Sequence, residues 1–143
     1  KLNADAEIVE ISAWLHDIGS IIHGREEHNI TGAEIAERRL RELGYPKEKI
    51  AQVKHCIIAH RGSKNIRRET IEAQIIADAD AIDIFNDVKN RVKAATDYEN
   101  KTLDEAKKSV RQKLINSFNK ISSQAKEIAK PKFEAALLEL NQI

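Results

Sequence analysis

Apolar residues recur along this chain at helical spacing, in a series of separate runs. Ile8, Ile11, Leu15 and Ile18 fall at i, i+3, i+7 and i+10 and predict a first helix over about 4–18. Asn3 or Asp5 can cap it, and Gly19 reads as its stop. Residues 20–29 read as a loop or a short helical turn. A second helix is predicted from Thr31, where Thr31-Gly32-Ala33-Glu34 fits a capping box; Ala33, Ala36, Leu40 and Leu43 line its apolar side and Ile35 lies off that stripe. Gly44 and Pro46 punctuate the passage to a third helix over 47–60, with Ile50, Val53, Ile57 and His60 on one stripe. A fourth, over about 69–95, is apolar on several sides through Ile71, Ile75, Ile76, Ile82, Phe85, Val88 and Val92, as a central helix would be. Thr102-Leu103-Asp104-Glu105 forms a second capping box for a fifth, faced by Leu103, Ala106, Val110, Leu114 and Ile121. The sixth, over about 123–141, carries Ile128, Phe133, Leu137 and Leu140, and Pro131 should bend or interrupt it. The expectation is an all-α single-domain bundle over 1–143 with about six main helices: a core over about 4–95, and C-terminal helices over about 102–142 packed on it.

Composition narrows this further. Five glycines, two prolines and six aromatics in 143 residues leave little punctuation for a many-stranded β fold. Lys plus Arg number 24 and Asp plus Glu 23, a balance that argues against a protein built to coat long nucleic acid or an anionic membrane. No apolar run approaches a bilayer span. The single cysteine, Cys56, excludes an internal disulfide, fits a reducing cytoplasm and reads as a small core residue. Trp14 also reads as core. The chain contains no Met and begins at Lys1, so an upstream N-terminus is expected.

The polar residues within the helical pattern suggest chemistry. His16 and Asp17 are adjacent at a helix end, and Asp78, Asp80 and Asp83 crowd the apolar fourth helix. Carboxylates on an apolar helix are costly unless paired or bound to a cation. Imidazoles with carboxylates suit Mn, Fe, Zn, Ni or Co, and a carboxylate-rich set admits Mg. The bland alternatives are a helix cap at His16-Asp17 and an Asp80 paired with a cationic side chain. His55 lies about half a turn off its helix's apolar face and reads as exposed and inert; His23 is a loop residue. Arg61, Lys64, Arg67 and Arg68 form a basic cluster without an acid among them, either solvated surface or a phosphate anchor.

Four ordered elements resemble the HD-domain metal-dependent phosphohydrolases: Leu15-His16-Asp17-Ile18-Gly19, then His28-Asn29-Ile30-Thr31-Gly32-Ala33-Glu34-Ile35, then Ile57-Ile58-Ala59-His60, then Ala79-Asp80-Ala81-Ile82-Asp83. Residues 123–129 are more weakly similar to the helical tail of predicted hydrolases in the same superfamily. The resemblance implies a metal held by His16, Asp17 and Asp80, with Asp78 as the competitor that the motif register disfavours and Asp83 in an orienting role. It implies a first ligand histidine on an earlier helix, and none of residues 1–12 is His. His28 and His60 correspond to positions that hold a second ion in two-metal members. Those members commonly carry a His-His pair where this chain has His60-Arg61, so one divalent ion is expected. The implied activity is hydrolysis of a small phosphorylated molecule, a nucleotide or other phosphomonoester, by metal-activated water, with Asp17 also handling the proton and Arg61 and Lys64 on phosphate. Pyrophosphohydrolysis of a nucleoside triphosphate is the near alternative. A non-catalytic module that binds metal or nucleotide and acts through protein contacts is the distant one.

Overall fold

The computed structural model describes residues 3–61 and 66–143, and every regular element among them is helical. The basic residue Lys64 lies outside the described residues. The chain divides into two compact units, Lys1–Ala77 and Asp78–Ile143.

The first unit opens with α1 (Ala6–Leu15), capped by Asp5, whose carboxylate accepts the amides of Glu7 and Ile8 at 3.0 and 3.3 Å. The first predicted helix is two helices. It breaks at His16-Asp17, and α2 (Ile18–His23) follows. Gly19 therefore lies inside a helix and does not stop one. Its function is contact: a Cβ there would stand 2.2 Å from the carbonyl oxygen of His28 and 2.6 Å from the amide nitrogen of Gly32. Only glycine lets these two backbones touch.

Helix α3 (His28–Glu42) begins three residues before the predicted cap. Thr31 makes no capping box. Its hydroxyl points back along the helix to the Glu27 carbonyl at 3.4 Å, and the N-cap is Glu27, held at φ 50° in the left-handed region. The C-terminus follows expectation. Gly44, at φ 75°, donates to the Arg41 carbonyl and Tyr45 to that of Leu40, a Schellman closure. Leu43, placed on the apolar side by the sequence, is exposed because it is the C-cap and leaves the helix register. Helix α4 (Lys47–Ala59) starts after Pro46 and buries Ile50, Val53, Cys56, Ile57 and Ala59. These pack with Ile8, Ala33, Ala36, Leu40, Ala73 and Ile76. Fully buried Ile8 and Ile57 each contribute about 1.5–3 kcal/mol by leaving water. Burial pushes the Cys56 thiol up, which keeps it protonated and inert. Trp14 is not core: it is 81% exposed on α1, on the side away from Ile8 and Ser12.

Two contacts fix the direction of α1 against α4. Near their N-termini Lys49 is ion-paired with Glu7, which also accepts the Tyr45 hydroxyl at 3.1 Å. At their C-termini the rings of His16 and His60 meet. The helices therefore run parallel and deliver their last turns to one place.

The predicted fourth helix is also divided. Helix α5 (Ile71–Asp83) carries the boundary between the units, a 3-10 turn follows over Ile84–Asn86, and α6 (Val88–Tyr98) begins after Asp87, whose backbone leaves the helical region. The second unit continues with α7 (Leu103–Lys120) and α8 (Ser123–Gln142). Thr102 and Glu105 form the capping box the sequence predicts, each accepting the other's amide. The core joins Phe85, Val88, Val92, Val110, Leu114 and Leu140, with Phe118 and Phe133 stacked at 4.3 Å. Pro131 does not interrupt α8. Ile128 is 80% exposed, because the buried side of that helix runs through Ala129, Ala136 and Leu140. No described helix is long and apolar enough to cross a membrane.

Candidate metal centre

Four side chains of the first unit converge where α1, α3 and α4 bring their ends together. His16 is the C-cap of α1, Asp17 precedes α2, His28 opens α3 and His60 is the C-cap of α4. Ligand atoms of Asp17, His28 and His60 all lie within 4.8 Å of one another. One Asp17 oxygen stands 3.5 Å from His28 Nε2 and 3.8 Å from His60 Nε2, and the other 3.6 Å from His16 Nε2.

The three rings share one device. Each Nδ1 faces the backbone carbonyl three residues earlier: His16 to Ala13 at 2.8 Å, His28 to Arg25 at 2.9 Å, His60 to Ile57 at 2.5 Å. A carbonyl only accepts, so Nδ1 carries the proton and a neutral ring presents a bare Nε2. His28 Nε2 and His60 Nε2 then face each other at 3.3 Å with two lone pairs, beside a carboxylate. A cation placed there would meet both nitrogens and the Asp17 carboxylate.

The rest of the setting agrees. Asp17 occupies the N-cap of α2 yet makes no capping bond, so its carboxylate is left for the imidazoles. The C-terminal ends of α1 and α4 both point here, and such ends carry partial negative charge. His60 is 3% exposed and His28 and His16 are half-buried, while Asp17 is open enough for a ligand to reach. The His28 and His60 nitrogens with the Asp17 carboxylate, and His16 beside that carboxylate, are donors that suit Zn, Mn, Fe, Ni or Co. The residues fit a divalent ion.

The sequence-derived candidates fare differently. His16 and Asp17 are adjacent as expected, and the cap reading holds only for the backbone. His28 and His60, assigned to a second ion, meet the same Asp17 carboxylate as His16 does. Asp78 is committed elsewhere: buried, it accepts the Ser122 amide at 3.0 Å and hydroxyl at 2.6 Å. Asp80, the acid the motif register prefers, is exposed in the second unit. Asp83 accepts the Asn86 side-chain amide at 3.0 Å and lies 3.7 Å from Arg91. Arg61 follows His60 and is half-buried. His55 is neither exposed nor idle. It is half-buried, and its Nε2 accepts the Glu69 amide at 3.0 Å. Gly32 and Asn29 lie in the family-like segment, but sequence spacing assigns neither its contact: Gly32 meets Gly19 and Asn29 meets the Ile58 carbonyl.

An all-α unit with a His-Asp doublet and two further histidines gathered on it is a helical domain with a candidate metal centre. The family model for the HD domain matches residues 1–84, more than half of the chain, and the chain belongs to that family. No curated protein and no solved structure matches it.

Proposed function

We propose that the chain is a metal-dependent phosphohydrolase for a small phosphorylated molecule, a nucleotide or other phosphomonoester. The observation that supports it most is the set of three imidazoles pinned through Nδ1 so that every Nε2 faces Asp17. His16, Asp17, His28 and His60 would hold the ion, with Asp80 as the further carboxylate that the family motif supplies. A divalent ion held there contributes Lewis acidity towards a phosphoryl oxygen and makes a water acidic near neutral pH.

The chain's own groups supply the rest. Asp17, fixed beside the imidazoles and open to solvent, accepts the proton that the attacking water gives up. A new P–O bond forms to that water oxygen, the ester P–O bond breaks, and the leaving alkoxide takes up the proton that Asp17 had accepted. Arg61, next in sequence to His60, and Lys64 neutralise phosphate charge.

The test is phosphate release from a panel of phosphomonoesters and nucleoside triphosphates with Mn, Co, Ni, Zn or Mg supplied in turn. Asp17→Ala and Asp80→Ala should each lower both metal content and turnover, by roughly 100-fold or more in rate. The exposed His23→Ala should change neither. Metal retention without turnover on any panel member would point to the non-catalytic module. Wild-type metal content in Asp17→Ala would remove the reading altogether.

A further inference from the structure

The first turn of α3 grips the last turn of α4 through one buried side chain. Asn29 is 1% exposed, and its Nδ2 donates to the Ile58 carbonyl at 3.1 Å. The last carbonyls of a helix have no partner within it. In α4 the Ile57 carbonyl is taken by His60 itself and the Ile58 carbonyl by Asn29. Asn29 directly follows His28, and Ile58 stands two residues before His60. One hydrogen bond thus joins the backbone that carries one imidazole to the backbone that carries the other. Its neighbours on the buried side of α3 are Gly32, Ala33, Ile35 and Ala36. An amide among them costs free energy that an apolar side chain would not, and Asn29 Oδ1 has no hydrogen-bond partner among the described residues. The donor alone accounts for asparagine at this position.

We propose that Asn29 is a positioning residue of the metal centre, setting the spacing of His28 Nε2 and His60 Nε2 through the Ile58 carbonyl. This rests on the metal-dependent reading given above. Partners one step removed from a metal ligand hold its ring in the binding orientation, and their loss weakens metal affinity by about 10- to 100-fold.

The experiment compares Asn29→Ala and the isosteric Asn29→Asp with Val53→Ala, a fully buried change in the same core and outside the site. Two measurements are made on the full chain. Metal-free protein is examined by imidazole nitrogen NMR at alkaline pH, where imidazoles are neutral. Wild type and Val53→Ala should show His60 held in the Nδ1–H form, and both Asn29 variants a mixture of tautomers. Mn²⁺ and Co²⁺ are then titrated, with a loss of about 10- to 100-fold in affinity expected for the Asn29 variants and none for Val53→Ala. The proposal is overturned if the Asn29 variants keep wild-type tautomer and affinity. It is equally overturned if Val53→Ala loses as much as they do, or if neither Asn29 variant folds while Val53→Ala does, because Asn29 would then be structural only. Should wild type bind neither ion, the phosphohydrolase reading fails, and the tautomer comparison still decides whether Asn29 orients His60.

Discussion

The same four-residue pattern occurs twice in this chain, with opposite outcomes. Thr102-Leu103-Asp104-Glu105 caps α7 by reciprocal bonds. Thr31-Gly32-Ala33-Glu34 lies wholly inside α3, with its threonine turned back to Glu27. Both carry the Thr and Glu of a capping box, and what surrounds them differs. Nothing competes for the α7 N-terminus, where the cap decides. At α3 Gly32 lies against Gly19 and His28 against Asp17, and the helix begins at His28. Starting there places Glu27 at a positive φ, a strain of about 1–2 kcal/mol for a residue other than glycine. At Thr102 the local rule decides the helix start; at Thr31 it yields to the packing around it.

The sharpest way to break this contrast is at its cause. Gly19→Ala would put a methyl group 2.2 Å from the His28 carbonyl oxygen and against the Gly32 amide, both backbone atoms that cannot swing aside. Denaturant unfolding should show a loss of about 3 kcal/mol or more, and the His28–Asp17 approach should open with it. A smaller effect separates the two threonines directly. Thr102→Ala should cost about 1 kcal/mol through the lost cap, and Thr31→Ala should stay within about 0.5 kcal/mol, in the same denaturation assay. Equal costs would mean that Thr31 does serve as a cap.

The smallest effect is one of pH. The Thr102 amide, then the Thr102 hydroxyl, hold the Glu105 carboxyl below the ordinary glutamate value of 4.5. A depressed carboxylate contributes stability above its unfolded pKa and loses it as pH falls through the folded one. Glu105→Gln keeps the box geometry without the charge. Its thermal midpoint should lie slightly below wild type at neutral pH and converge with it as pH drops beneath 4.5. A gap that persists in acid would assign the effect to shape and not to charge.

Much of the molecule was readable from residue order. Helical spacing gave an all-α chain, and Asp5, Gly44, Pro46 and Thr102 marked real boundaries; motif resemblance named His16 and Asp17, which lie beside His28 and His60, and also Asp80, which is exposed in the second unit. These signals are local, because caps and periodicity are satisfied within a few residues. What the sequence could not supply was contact between distant segments. Gly19 reads as a stop because its neighbours show only its flexibility, whereas its use is to admit the backbone of residues 28–32. Trp14 reads as core because size and apolarity favour burial on average, yet it is 81% exposed among the described residues. His28 and His60, 32 positions apart, become one site with Asp17 because α1 and α4 run parallel and a glycine pair lets α3 close on α2. Residue order determined which groups were available. The close approach of three backbones, which only folding creates, decided that their nitrogens would meet at one carboxylate.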